Sequence, residues 1–179
     1  QTTPFSISAD SYEANRHFYL GHYFRRGYDS WMSTLPVVNT PVVITKIEVY
    51  GVAVPLVGPG FKNAYVTKTV QKSAIVKLID TDGFIGLGNI DPSPGYSAET
   101  IEDSLTVLKN VLAPVVEGLD PFNIHELLKI MNKTVDQFYD AKAAIEMACT
   151  DLICRRLGIP VYTYLGGEQV KECRFNAWI

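Results

Sequence analysis

The chain has 179 residues, of which 47% are hydrophobic, and a formal net charge of −3. This length allows one or two globular domains with a substantial core, and the slightly acidic balance argues against a nucleic-acid-binding surface. No run approaches the roughly 20 apolar residues of a membrane span, and no targeting signal is visible at the N-terminus. We therefore expect a cytoplasmic protein with three reduced thiols and no bound nucleic acid.

Residues 1–43 differ in composition from the rest of the chain and predict a separate extension and linker. They contain eight aromatic residues, and Asp10 with Glu13 is typical of the start of a helix that would run toward Trp31. The basic residues among the aromatics are balanced by acidic ones, which favours a solvated face. The stretch SADSYEANRHFYLGHYFRRGYDSWMSTLP, running on into ITKIEVY, resembles a segment of the outer-membrane translocon of gliding motility and type IX secretion.

From Ile44 onward the sequence predicts β-structure. The run ITKIEVYGVAVPL is rich in β-branched residues, and SAIVKLIDTDGFIGLGNI supplies two more strands around Asp82–Gly83, a dipeptide favoured in tight hairpin turns. These runs predict a three-stranded antiparallel meander. Two segments, VGPGFKNAYVTKT and NIDPSPGYS, are expected to project from it as irregular loops.

Helices are predicted after the sheet. Ser97 can cap a first helix whose apolar residues recur at helical spacing, and Pro114 is expected to disrupt that helix near its end. Asp120–Pro121 is expected to start the next helix, with proline at its favoured first position. The core-facing stripe of the first helix comprises Ile101, Leu105, Leu108 and Leu112.

The longest helical run begins at Ala141 and ends before Gly158, which suits a helix C-terminus. The pairs Lys142/Glu146 and Asp151/Arg155 are spaced for ion pairs along it. Its apolar residues fall on two sides, so the helix is predicted to lie between two layers. One side comprises Ala141, Ala144, Ile145, Ala148, Cys149 and Leu152, and the other comprises Ala143, Met147 and Cys154.

Three strands, a helical bundle and a closing glycine pair together resemble a known family. AKAAIEMACTDLICRRLGIPVYTYLGG resembles the signature of mandelate racemase and muconate lactonizing enzymes of the enolase superfamily, an alanine-rich helix with an aspartate followed by G-x-P-x-x-x-L-L-G-G. ITKIEVYGVAVPL, GFIGLGNIDPSPGYS and LAPVVEGLDPFNI extend the resemblance, which covers residues 44–179. Thr150 departs from the tryptophan that commonly precedes this aspartate.

The resemblance implies an α+β capping domain over residues 44–167, with a meander followed by a helical bundle. In the complete family enzyme a Lys or His base removes the proton α to a substrate carboxylate, and Mg²⁺ stabilises the resulting enediolate. Those groups belong to a (β/α)₈ barrel, and the cap covers a small carboxylate substrate with two loops. The loops correspond here to Gly58–Thr67 and Asn89–Ser97.

Residues 168–179 resemble the start of the first barrel strand, so we expect this chain to lack the barrel. The resemblance then implies that the chain holds no catalytic residue and no metal ligand, and that the 179-residue chain is inactive by itself. Asp80, Asp82 and Asp91 are expected to shape turns rather than to bind Mg²⁺.

The candidate substrate-binding residues lie on the two loops and on the final strand. Lys62 offers a positive charge, and the aromatic residues offer shape. The full set comprises Phe61, Lys62, Tyr65, Ile90, Tyr96, Asn176 and Trp178. Two alternatives stay open at this point: a noncatalytic binding or assembly module that uses the aromatic extension, and a fusion of two unrelated segments. The sequence is also compatible with a homo-oligomer.

Overall fold

The computed structural model describes residues 41–174, which belong to one compact unit. The predicted N-terminal helix and the stretch that resembles a translocon segment, up to residue 40, lie outside the described residues. Asn176 and Trp178 on the predicted final strand also lie outside them. Within the described range no helix is long and apolar enough to cross a membrane.

The predicted three-stranded antiparallel meander is confirmed. Its strands span β1 Ile44–Pro55, β4 Val70–Asp80 and β5 Ile85–Ile90, and β2 Phe61–Lys62 pairs with β3 Thr67–Lys68 in a separate hairpin. Strand β4 lies between β1 and β5 and is antiparallel to both, with Val76 opposite Val49 on one side and Gly88 on the other. The composition of the first loop predicted an irregular segment, but the loop contains the short hairpin of β2 and β3.

The helices cover one face of this sheet. They span α1 Ile101–Val107, a π-helical turn Leu108–Leu112, α2 Ala113–Val116, α3 Ile124–Thr134, α4 Tyr139–Leu157 and α5 Val161–Tyr164. Alternate residues of β4 and β5 point toward them, because side chains in a strand alternate between its two faces. The core combines Ala74, Val76 and Leu78 of the sheet with the predicted apolar stripe, which runs along α1 and the π-helical turn, and with the first apolar side of α4.

Two helix starts differ from the prediction. Thr100, not Ser97, caps α1, and its hydroxyl accepts a hydrogen bond from the backbone N–H of Asp103. Asn123, not Asp120, caps α3, because Asp120 instead closes a turn with the backbone N–H of Phe122. In both places the sequence offers more than one residue whose side chain can cap a helix, so composition alone does not show which of them is the N-cap.

The disruption predicted at Pro114 takes the form of a wider turn just before the proline. The backbone N–H of Ala113 donates to the carbonyl of Leu108, five residues earlier, and the helix continues to Val116. Proline has no N–H and its ring clashes with a preceding carbonyl in a regular helix. The wider turn lies immediately before Pro114, which then occupies the first turn of α2, where a missing N–H costs little.

Helix α4 ends as predicted, with Gly158 in the left-handed conformation at φ 66°. Its first apolar side is fully buried, but Met147 on the second side is 43% exposed, so the described residues do not cover both sides. Asp151 and Arg155 form the predicted ion pair at 2.9 Å. The other predicted pair is wrong, because the buried Lys142 donates to Asn132 Oδ1 and the carbonyl of Val135.

Candidate functional site

The first loop folds into a hairpin because Asn63 shapes its turn. The Asn63 side-chain oxygen accepts hydrogen bonds from the backbone N–H groups of Tyr65 at 2.9 Å and Val66 at 2.8 Å. Asparagine favours such local bonds to the backbone that follows it. Gly60 precedes the hairpin at φ +82°, where an added Cβ would collide with the carbonyl oxygen of Lys68. The two residues define the approach of β2 to β3.

Phe61 and Lys68 are directly opposite each other in this hairpin, so their side chains lie on the same face. The Lys68 ammonium lies 5.6 Å from the centre of the Phe61 ring. It donates to Ser93 Oγ at 3.3 Å and thereby connects the first loop to the second. A cleft of about 350 Å³ forms here, lined by Leu56, Phe61, Asn63, Lys68, Gln71, Ser93 and Tyr96.

A second contact between the loops is aromatic. The rings of Tyr65 and Tyr96 meet edge to face, with centres 5.3 Å apart and planes at 78°. Gly95 permits this approach, because a Cβ at that position would lie 2.6 Å from the Tyr65 ring. Tyr65 is 63% exposed and Tyr96 is 71% exposed, so both present ring edges to solvent above the cleft.

The structure brings three of the predicted site residues together: Phe61, Tyr65 and Tyr96. Lys62 is the neighbour of Phe61 in a strand and so belongs to the opposite face of the hairpin, away from Lys68. Ile90 is 8% exposed and packs in the core at the end of β5. The contribution of all five residues to substrate binding stays a prediction, as does that of Asn176 and Trp178.

Sequence reasoning missed Lys68, Asn63 and Ser93. The alternation of strand residues could have indicated Lys68, since the hairpin V-T-K-T continues into β4, but the pairing of Phe61 with Lys68 depends on the turn at Asn63. A two-residue strand has too little periodicity to indicate its register. Ser93 lies among prolines and glycine, where composition predicts only a loop.

Ion pairs and hydrogen bonds organise a neighbouring groove of about 380 Å³ beside Lys68 and the start of α1. Lys72 Nζ lies 2.7 Å from Glu102 Oε1, and this hydrogen bond lowers the pKa of Glu102. Gln71 Nε2 donates to Asp91 Oδ2 at 3.1 Å. Polar contacts therefore occupy the carboxylates of Glu102 and Asp91.

The segment between the second loop and α1 is attached to helix α4. Glu99 accepts hydrogen bonds from the backbone N–H groups of Asp140 at 2.7 Å and Ala141 at 3.3 Å, and from Ser104 Oγ at 2.7 Å. Phe138, the residue before the helix, makes no side-chain cap. A carboxylate also interacts favourably with the positive end of the helix dipole. Glu99 thus fixes the point where the second loop ends.

The described residues do not fit a Mg²⁺ site. Magnesium requires several oxygen ligands around one position, and residues 41–174 hold no group of three or more acidic, histidine or cysteine side chains with suitable geometry. Asp80 and Asp82 both bind the guanidinium of Arg156 instead, and Asp91 binds Gln71. Asp80 also accepts hydrogen bonds from the backbone N–H groups of Asp82 and Phe84 and so stabilises the hairpin turn.

The cysteines of this part of the chain are unpaired thiols, and two of them are buried. Burial raises the pKa of the Cys149 thiol to about 12, with a smaller contribution from the charge of Glu146. Cys154 is only 2% exposed, and burial raises the pKa of its thiol as well. Since the thiolate is the reactive form, neither side chain is poised for nucleophilic chemistry.

A small antiparallel sheet backed by helices thus carries two loops that meet over a cleft. The sequence matches the mandelate racemase/muconate lactonizing enzyme N-terminal domain over residues 44–166. The chain belongs to this family. The fold resembles that of the N-succinyl-L-Arg/Lys racemase of Bacillus cereus, with a TM-score of 0.69 over 72% of this chain and 35% of that one.

Relatives of different activity share this similarity. The Bacillus cereus racemase is 34% identical over 129 residues, and a chloromuconate cycloisomerase of Pseudomonas putida is 35% identical over 126 residues, 69% of this chain and 34% of the enzyme. A dipeptide epimerase of Enterococcus faecalis, solved with Mg and the dipeptide L-Leu-L-Tyr, is 31% identical with a TM-score of 0.66 over 70% of this chain and 35% of that one. The chain spans about a third of the length of these relatives.

Proposed function

We propose that this chain is the capping domain of an enolase-superfamily enzyme that removes the α-proton of a small carboxylate substrate. The observation that carries the proposal is the family match over residues 44–166 together with the two loops that meet at Lys68 and Ser93. The outcome would be racemisation, cycloisomerisation or dehydration. The family resemblance assigns the base and Mg²⁺ to a barrel, and the described residues contribute no step to that chemistry.

The role of the chain is to cover the substrate and to select it. Tyr65 and Tyr96 supply aromatic edges, and Phe61 supplies an apolar wall for the cleft between the loops. Loops that close over a reaction centre exclude water and determine which substrates fit. The attachment of Glu99 to helix α4 fixes the chain just after the second loop and so restricts such closure to the loop itself. We place the complete enzyme in the cytoplasm.

A fused enzyme tests the proposal. Residues 1–166 would be joined to the barrel of the Bacillus cereus racemase, and exchange of the α-proton of N-succinyl amino acids into deuterated water would be followed by NMR with Mg²⁺ or with a chelator. We expect Mg²⁺-dependent exchange that exceeds the rate of the same barrel without a cap. The racemase with its own cap is the positive control.

Two results would contradict the proposal. A folded, Mg²⁺-binding fusion that exchanges no faster than the uncapped barrel would refute the capping role. Rapid Mg²⁺-dependent exchange by the 179-residue chain alone would refute the assignment of the catalytic groups to a barrel. Replacing Phe61 by alanine in an active fusion should raise KM or change the preferred substrate, because it removes a wall of the cleft.

A further inference from the structure

We propose that the outer edge of strand β1 is a docking surface for a second copy of this chain, and that the two β1 strands pair antiparallel about Gly51. This surface is not one that the proposed function uses. The inference follows from the open middle of the edge, which lies between two ends where the outward donors are already bonded or missing.

The register of the sheet shows which backbone groups face outward. Strand β1 is an edge of the three-stranded sheet, with β4 on its inner side. Successive residues of an antiparallel strand direct their N–H and C=O groups alternately toward the neighbouring strand and away from it. The N–H of Ile47 points outward, since it donates to Glu117 Oε1 at 3.1 Å. The regular register beyond it then places the N–H and C=O groups of Val49, Gly51 and Ala53 outward as well.

Both ends of this edge are closed. At its start, the N–H of Ile44 donates to the carbonyl of Leu119 at 2.9 Å, and the N–H of Gly118 donates to the carbonyl of Ile44 at 2.8 Å. At its end, Pro55 has no N–H. Within residues 41–174, no such partner covers the outward groups of the open stretch, residues 49–53.

The opposite edge of the sheet shows how this chain protects a strand. Strand β5 has only six residues, and the N–H of Leu87 donates to Asp151 Oδ2 at 2.9 Å. Strand β1 has 12 residues, and its run VYGVAV contains no charged side chain. A long apolar edge without such protection pairs readily with another strand.

The open stretch is complementary to itself. Antiparallel pairing centred on Gly51 places Val49 opposite Ala53 of the second copy, and residues paired in this way exchange two hydrogen bonds. The same register places Ile47 opposite the partner's Pro55. A donor that is already bonded thus meets a residue that has no donor, so the new ladder ends at the same point in both directions.

The side chains on the outer face suit this register. Tyr50, which is 47% exposed, would lie opposite Val52 of the second copy, and an aromatic residue opposite a β-branched one stabilises a sheet. Glu48 would lie opposite Val54, so the two Glu48 charges do not face each other. The twofold arrangement uses the same edge on both chains, so association through this edge stops at two copies.

The expected dimer is weak. Pairing along one short edge buries less surface than the roughly 1,600 Å² of a standard stable interface. We therefore expect a dissociation constant between about 1 µM and 1 mM.

Sedimentation and amide hydrogen exchange of the 179-residue chain test this inference. Sedimentation over about 1 µM to 1 mM should show the number of subunits rising from one toward two. By NMR, the amides of Val49, Gly51 and Ala53 should exchange about twofold more slowly or better at about 1 mM than at about 0.1 mM. The amides of Tyr50 and Val52 point toward β4 and should not respond to concentration.

Ala53→Pro tests the edge directly. It removes an outward N–H, which proline tolerates on an edge strand, and thereby deletes two hydrogen bonds of the symmetric dimer. We expect the dissociation constant to rise about tenfold or more. Ala53→Val is the matched control, because it retains the N–H, and its dissociation constant should stay within about twofold of the parent value. Amide spectra verify that both variants keep the fold.

Four outcomes would overturn the proposal. The first is a monomer up to the highest concentration, and the second is slow exchange at residues 49, 51 and 53 that does not depend on concentration. The third is a dimer that survives Ala53→Pro unchanged. The fourth is a dimer of labelled and unlabelled chains that shows no NOE between the Tyr50 ring of one chain and the Val52 methyl groups of the other.

Discussion

Arg156 connects the end of the long helix to the turn between β4 and β5. Its Nη1 lies 2.8 Å from Asp80 Oδ2, and the two side chains are 8% and 0% exposed. Nη2 binds Asp82, and the guanidinium stacks on the ring of Phe84 with 5.1 Å between its carbon and the ring centre. The hydrogen bond that Arg156 donates to Asp82, with a further contribution from the bond to Asp80, raises the pKa of Arg156.

We predict that Arg156→Met lowers the free energy of unfolding by about 3 kcal/mol, because it leaves the buried Asp80 carboxylate without its counter-charge. Arg155→Met is the control. Arg155 is 56% exposed in its pair with Asp151, and loss of such a pair should cost about 0.5 kcal/mol. Urea unfolding of both variants measures the difference, and equal costs would show that Asp80 is not dependent on Arg156.

Glu48, on the outer face of the sheet, is expected to make a pH-dependent contribution to the free energy of unfolding. Hydrogen bonds from Lys46, then Lys77 and Tyr50, lower the pKa of Glu48 from 4.5 to about 2. A carboxyl group with a lowered folded-state pKa stabilises the fold above its unfolded pKa, and this contribution is lost as pH falls toward the folded value. The relevant window therefore runs from 4.5 down to about 2.

The prediction is that the stability difference between the parent chain and Glu48→Gln shrinks across this window. Urea unfolding at a series of pH values measures it. At higher pH the parent chain should be the more stable protein, and the two should converge at the acidic end. A difference that stays constant with pH would mean that the two lysines do not act on the charge of Glu48.

At the scale of elements, the packing of α4 on β5 depends on two glycines. Gly86 and Gly88 both lie on the inner face of β5, two residues apart. A Cβ at Gly86 would collide with the carbonyl oxygen of Ala148 in the helix, and a Cβ at Gly88 with that of Ala144. The alanines on the facing side of α4 complete this close contact. Small residues on both elements thus bring the helix backbone directly onto the strand.

We predict that Gly88→Ala destabilises the protein by about 1–3 kcal/mol, because the helix backbone cannot yield as a side chain can. Gly51→Ala is the matched control in β1, where the added Cβ would meet only the flexible end of the Leu105 side chain, at 2.9 Å. Its cost should be clearly smaller. Thermal unfolding of the two variants tests this, and similar midpoints would contradict the close helix–strand contact.

Local sequence signals predicted the helices and strands well, but they did not predict the contacts between those elements. Strand alternation and Gly158 indicated the sheet and the end of α4, because both depend on residues close together in the chain. The role of Lys142 was missed, since Asn132 and Val135 approach it only after α3 and α4 pack. Glu99 lies just before α1 in the chain, yet it accepts hydrogen bonds from the first N–H groups of α4, more than 40 residues later.

At the scale of the whole molecule, the fold was predictable from local sequence signals, whereas the candidate site depends on contacts between distant segments. The sequence predicted the α+β class and the two loops, and it placed Phe61, Tyr65 and Tyr96 on them. It did not predict that Lys68, rather than Lys62, shares a face with Phe61. That fact follows from the register of a short hairpin and from the contact of one loop with the other, neither of which periodicity encodes.

The core of the described unit uses residues from Ile44 to Leu152, which leads to a prediction about the aromatic-rich extension. A chain that begins at residue 41 should unfold cooperatively, with a free energy of unfolding within about 0.5 kcal/mol of the parent chain. A chain that begins at residue 47 is the control. It lacks Ile44, which is 0% exposed and whose backbone bonds Gly118 and Leu119, and it should be destabilised by several kcal/mol, about the cost of an emptied core position or more.

Urea unfolding and sedimentation of the three chains measure stability and the number of subunits per particle together. Equal stability and an equal number of subunits for the parent chain and the chain from residue 41 would favour a capping unit that folds without the extension, as the core composition implies. A large loss of stability, or a change in the number of subunits, on removal of residues 1–40 would instead assign the extension a role in packing or assembly. The alternative of a noncatalytic assembly module requires that second result.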